Sequence, residues 1–106
     1  MKQPLAMLSV MLAPAISLMA HAQTRVQRGA DVFAKSGCLH CHSIQKVGGK
    51  KGPDLSGVGK RLSKARMRRQ ILSGGAEMPA FADVLEKREL NDLLTYLHSC
   101  RDGRGR

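Results

Sequence analysis

Five consecutive residues, Cys38-Leu39-His40-Cys41-His42, concentrate the reactive side chains of this chain. In a helical turn, cysteines at i and i+3 fall on one side, and the next residue brings an imidazole to the same side. Two thiols so placed can reach the two vinyl groups of a haem, and the imidazole can bind its iron. Three other chemistries use similar residues. A thioredoxin-type Cys-x-x-Cys needs a βαβ setting, and the pattern of this chain offers none. A structural zinc site can take Cys38, Cys41 and His42, with Cys100 or His98 as a weakly placed fourth ligand. A plain disulfide between Cys38 and Cys41 is the simplest alternative.

A haem iron takes a second axial ligand, and Met78-Pro79 is the best candidate. A residue before proline is pushed out of the helical region, so Met78 is expected on an extended loop able to fold over a haem face. Thioether sulfur is a soft donor suited to low-spin haem iron. A methionine is more often core filler, and Met67, on a helical pattern, is read that way. His40 sits between the two cysteines, where tethering of both neighbours turns it away. His98 reads as a surface histidine in a final helical turn, favoured there by the helix dipole.

The elements that must hold these residues read as helices and loops. Val26, Ala30 and Phe33 share one helical face, and Gly29 permits close approach of another helix. Ser36-Gly37 is a stop signal. From Ile44 to Gly59, glycine, lysine and Pro53 predict an irregular loop. Ser63 predicts the cap of a helix through about Leu72, with Met67 and Ile71 inward, ended by Gly74-Gly75. Asp83 and Glu86 have capping-box spacing for a last helix. There Leu90, Leu93, Leu94 and Leu97 fall at i, i+3, i+4 and i+7, the strongest periodicity in the chain. No segment alternates as a strand. The tail 101–106 is Gly/Arg-rich and is expected to be disordered.

The chain has 106 residues, a formal net charge of +10, two phenylalanines, one tyrosine and no tryptophan. One small domain fits this length, and so few large side chains make a modest core of the kind that usually needs a metal, a cofactor or cross-links. Residues 1–22 stand apart. Lys2 is their only charge, Leu5 to Met19 is apolar apart from Ser9, Pro14 and Ser17, and Ala20-His21-Ala22 puts small residues where a signal peptidase reads them. The expectation is a secretory signal peptide at 1–22, a domain at 23–106, no stable membrane insertion after cleavage, and a periplasmic location.

Taken in order, these pieces resemble the class I c-type cytochromes of the small bacterial monohaem kind, from about Val26 to His98. The resemblance is carried by the helix with Gly29 and Phe33, by Cys38-Leu39-His40-Cys41-His42, by Gly52-Pro53-Asp54-Leu55, by Met78-Pro79-Ala80-Phe81 and by Leu93-Leu94-Thr95-Tyr96-Leu97. It implies an all-α cytochrome c fold, three to four short helices with long loops around one haem c held through Cys38 and Cys41. His42 and Met78 would be the axial ligands, and the Pro53 carbonyl would bond the other nitrogen of His42. Gly29 and Phe33 would cross Tyr96 and Leu93. The stretch between Pro53 and Met78 is short, no tryptophan is available to a propionate, and Lys60 and Arg61 are the substitutes considered. Cys100 has no obvious partner.

Between Lys46 and Arg69 there are nine Lys/Arg and one acid, Asp54. Such a face keeps a protein soluble, and around an exposed haem edge it also steers acidic partners. Nucleic acid would suit the charge but not an exported chain poor in aromatics. The resulting expectation is a single-electron carrier, not an enzyme, working between acidic-surfaced redox proteins such as a dehydrogenase or oxidase, either free or as a subunit of a larger oxidoreductase. The rivals are an enzyme or gas sensor with an open iron position, and a zinc or disulfide domain without haem.

Overall fold

The computed structural model describes residues 22–103. The expected signal peptide, apart from Ala22, and the end of the tail, 104–106, lie outside the described residues. Among the described residues four helices follow one another: α1 (Arg25–Lys35), α2 (Val58–Arg61), α3 (Lys64–Ser73) and α4 (Lys87–Ser99). A short 3-10 turn covers Cys38–His40, and two strands of two residues each, β1 (Ser43–Ile44) and β2 (Val47–Gly48), pair antiparallel.

Each helix start is chemically marked. Thr24 caps α1 in a full capping box: its hydroxyl accepts from the Gln27 amide, and the Gln27 side chain accepts from the Thr24 amide. Ser63 accepts from the Arg66 amide at the start of α3. The boundaries expected at Ser36-Gly37 and Gly74 agree with the structure. The start of α4 does not. Its capping box is Glu86 with Glu89, not Asp83 with Glu86. The amides of Val84 and Leu85 both bond Phe81 O, so the chain is still turning where the earlier box would have begun the helix.

The loop expected over Ile44–Gly59 also needs correction. The chain reverses through Gln45 (φ 52°) and Lys46 (φ 68°), both left-handed, which is the backbone of a tight two-residue hairpin. The usual Asn-Gly signal is missing, so the strands were invisible in the sequence. Ser56, fully buried, holds the hairpin by accepting from the Gln45 amide at 2.7 Å. With α2 beginning at Val58, the long connection is subdivided into short loops. The fold is mostly helical with a small two-stranded sheet.

Val32 and Phe33 of α1 meet Leu90, Leu93, Leu94 and Leu97 of α4, with Val58, Met67 and Ile71 closing the core. Burying each of these side chains contributes about 1.5–3 kcal/mol. The helices α1 and α4 pack tightly at Gly29, where an added Cβ would collide with the Asp92 carbonyl oxygen and with Tyr96 Cβ. The Phe33 and Tyr96 rings pack beside this contact, 5.7 Å apart and tilted by 56°. Arg28 Nε donates to buried Asp92 at 3.0 Å and locks the same crossing. Beyond α4 the chain turns back: Arg101 donates to Gly59 O, and Gln45 donates to Asp102 O.

Candidate functional site

The pentapeptide follows α1 directly. Gly37 turns the chain in the left-handed conformation, and the amides of Cys41 and His42 both bond Cys38 O, at 3.2 and 2.9 Å. Backbone bonds then fasten the turn to the following loop: Gly49 N to Leu39 O at 2.8 Å, Gly52 N to Cys41 O at 2.7 Å, and Leu55 N to Ser43 O at 2.8 Å.

This loop sets the His42 ring. Nδ1 lies 2.8 Å from the Pro53 carbonyl oxygen. A carbonyl only accepts, so Nδ1 carries a proton, and in the neutral ring this leaves the lone pair on Nε2. The Pro53 carbonyl comes so near because residue 52 is glycine: a Cβ there would sit 2.7 Å from His42 Cε1 and 2.9 Å from Nδ1.

His42, Cys38 and Met78 line one apolar pocket with Leu55, Phe81 and Leu93. The cavity between them is narrow, about 40 Å³. Met78 arrives on a tight reversal in which Gly75 and Met78 exchange both backbone bonds, at 3.0 and 2.9 Å. Its sulfur accepts from Gln70 Nε2 at 3.7 Å. Nothing in the sequence marked Gln70, an amide on the exposed face of α3. Leu55 and Phe81 carried a signal, lying in the Gly52–Leu55 and Met78–Phe81 segments.

Cys38 and Cys41 are free thiols, both half-buried, and burial pushes the Cys38 thiol up from its ordinary range. Among the described residues no three His, Cys, Asp or Glu side chains converge to hold a metal ion, so the zinc set of Cys38, Cys41, His42 and a C-terminal ligand is not assembled. His40 and His98 are exposed. Cys100 is a half-buried free thiol that donates to Tyr96 O at 3.4 Å, its acidity lowered by burial. Arg61 is committed to the loop, donating to Ser56 O and Asp54 O, while Lys60 is exposed. A larger open depression of about 510 Å³ separates α1 from the start of α4. Its walls carry both charge signs, among them Arg28, Lys35, Glu86 and Glu89, and it shares no residue with the apolar pocket.

Cys38, His42 and Met78 line the apolar pocket and Cys41, on the same turn as Cys38, does not line it; together they are the donor types a haem c takes, two thiols, an imidazole and a thioether. Residues 24–97 match the family model described as cytochrome c oxidase, cbb3-type, subunit III. The chain belongs to this family of c-type cytochrome domains. As a c-type cytochrome it is a haem-based electron-transfer protein. Its fold is similar to the crystal structure of the c-type cytochrome SorU from Sinorhizobium meliloti, with a TM-score of 0.62 and 21% identity over 73% of this chain and 91% of that one. No curated protein matches the chain significantly. Among the described residues of this cytochrome, no helix is long and apolar enough to cross a membrane.

Proposed function

We propose that this cytochrome is a single-electron carrier whose one haem c is attached through Cys38 and Cys41 and ligated by His42 and Met78. The observation that carries the reading is the shared pocket. His42, whose Nδ1 donates to Pro53 O, and Met78 line one apolar cleft beside Cys38. Bound there, haem c supplies a one-electron Fe(III)/Fe(II) couple.

The chain's own residues do the rest. The Pro53 carbonyl orients the imidazole and raises its basicity. Leu55, Phe81 and Leu93 keep water from the metal, which strengthens every charge interaction inside. Methionine with histidine gives a higher potential than two histidines, and filling both axial positions leaves no site for a substrate. That is the ground for a carrier rather than an enzyme.

Residues 1–22 support export and a periplasmic location, where Cys38 and Cys41 would meet the envelope's haem-attachment machinery. The basic run from Lys46 to Arg69 supports acidic-surfaced redox partners, a dehydrogenase or an oxidase. The family's description as an oxidase subunit supports work inside or beside a larger oxidoreductase.

The deciding experiment is expression in a host able to mature c-type cytochromes. Haem stain should stay with the chain on a denaturing gel and vanish in Cys38→Ser/Cys41→Ser. The native spectrum should be low-spin and indifferent to carbon monoxide, and Met78→Ala should admit carbon monoxide while keeping the haem attached. Haem lost on denaturation would refute covalent attachment. Carbon monoxide binding by the parent protein would favour an enzyme or sensor.

A further inference from the structure

We propose that the segment after α4, Cys100–Gly103, is a strap that positions the His42 imidazole by holding together the two ends of the loop that presents the Pro53 carbonyl. The inference rests on the reading of His42 as an iron ligand. Gly59 N donates to Cys100 O at 2.9 Å, Arg101 Nη1 donates to Gly59 O at 3.1 Å, and Gln45 Nε2 donates to Asp102 O at 2.9 Å. Gly103 then passes close to Gly57, where an added Cβ would stand 3.3 Å from Gly103 Cα.

The points of attachment carry the argument. Gln45 follows His42 by three residues, and Gly59 follows Pro53 by six. The imidazole and the carbonyl that orients it, 2.8 Å apart, therefore sit on two arms of chain whose far ends meet on one short piece of backbone. Buried Ser56 ties the same arms from inside, its hydroxyl accepting from the Gln45 amide at 2.7 Å. Arg61 stiffens the second arm by donating to Asp54 O and Ser56 O. Gln45 is the node: its backbone amide bonds Ser56 and its side chain bonds the strap. Its φ of 52° is disfavoured for any residue with a side chain, and these two bonds offset that.

A bond from Nδ1 to a fixed carbonyl makes the imidazole a better donor through Nε2, which favours Fe(III) over Fe(II). Once the two arms can separate, that bond is made a smaller part of the time and the oxidised state loses support. Loss of the strap therefore raises the reduction potential. Loss of charge works the other way. A chain stopped after Cys100 lacks Arg101, Arg104 and Arg106 against one acid, Asp102, and the missing positive charge alone lowers the potential.

The test uses the haem-loaded protein, a chain stopped after Cys100, and point variants. Gln45→Ala removes the bond to Asp102 O, keeps the backbone bond to Ser56 and changes no charge. It and the stopped chain should show a raised potential, shifted His42 ring resonances, and faster hydrogen exchange at His42 Nδ1 and the Leu55 amide. Arg101→Ala should speed the same exchange, and Arg101→Lys, which still offers Gly59 O a donor, should restore it. A fall in Tm with the potential and the His42 resonances unchanged would overturn the proposal and leave the segment as a stabilising contact. If the stopped chain does not fold, Gln45→Ala decides alone. The oxidised parent keeps the two readings apart, because the ring protons of an iron ligand are strongly displaced by the unpaired electron. Ordinary His42 resonances there would remove the ligand reading, and the role of the strap with it.

Discussion

Gly29 and Tyr96 touch through the backbone of one and the Cβ of the other: a Cβ added at position 29 would stand 2.5 Å from Tyr96 Cβ. The Asp92 carbonyl lies nearer still, and neither atom is the free end of a flexible chain. Gly29→Ala must therefore push α1 from α4. The expected cost is about 1–3 kcal/mol, the usual range for overpacking. Urea unfolding monitored by circular dichroism measures it, and a variant as stable as the parent would contradict this crossing.

Arg28 and Asp92 make a second, testable contribution to the same crossing. The Asp92 side chain is only 8% exposed, that of Arg28 30%. Removing Arg28 leaves a buried carboxylate without this partner. Arg28→Leu should therefore cost more than the paired change Arg28→Leu/Asp92→Leu, with a loss of about 1–3 kcal/mol in the single variant. A double-mutant cycle on thermal unfolding reads the coupling.

Gly52 offers a probe of His42 that leaves His42 in place. A Cβ at 52 meets the imidazole, so Gly52→Ala should rotate the ring or lengthen its bond to the Pro53 carbonyl. Either change lowers the basicity of Nε2. In the haem-loaded protein the expected results are a shifted reduction potential and shifted imidazole resonances in NMR spectra. A potential equal to the parent's would show that this carbonyl does not tune the site.

Tyr96 sets a limit at high pH. Its phenol is pushed up to about 12 from an ordinary 10.0, first by burial, then by the negative charge and hydrogen bonding of Cys100. The folded state thus holds the proton more tightly than the unfolded chain. The stability tied to this proton is fully present below pH 10 and is lost as the pH rises toward about 12. Tyr96→Phe should flatten that part of the stability profile, measured by denaturant unfolding at successive pH values. An equally steep loss in Tyr96→Phe would assign it elsewhere.

The basic run predicts a salt effect. Electron exchange with an acidic partner should slow as ionic strength rises, because screening shortens the reach of Lys46, Lys50, Lys51 and the α3 arginines. Stopped-flow rates at several salt concentrations test this. Rates flat across the series would reduce the charge to a solubility feature.

Much of the helical frame was legible because its signals are local. The leucines of α4 repeat at helical spacing, Ser63 is a strong cap, and Ser36-Gly37 can do little but end a helix. The start of α4 was misread because Asp83 and Glu86 carry the same spacing as Glu86 and Glu89, and only the bonds to Phe81 O separate the two. The hairpin was missed because Gln45 and Lys46 are not residues that prefer positive φ. They adopt it because distant Ser56 rewards the Gln45 amide. Cys38, His42 and Met78 announced themselves by type and spacing, and the structure brings all three to one pocket. Gln70 did not, since one amide on a solvent face looks like any other until the loop folds back beneath it.

The clasp between the Cys38–His42 turn and the loop after it is made of main chain: Leu39 O, Cys41 O and Ser43 O are each taken by a backbone amide from Gly49 to Leu55. None of these bonds reads the identity of Lys46, Lys50 or Lys51, which are exposed between and beside them. Surface chemistry here can drift, even to the opposite sign, while the turn that carries Cys38 and His42 keeps its backbone bonds. Lys46, Lys50 and Lys51 can therefore be replaced without breaking any of these three bonds, which separates the charge of this face from the frame beneath it.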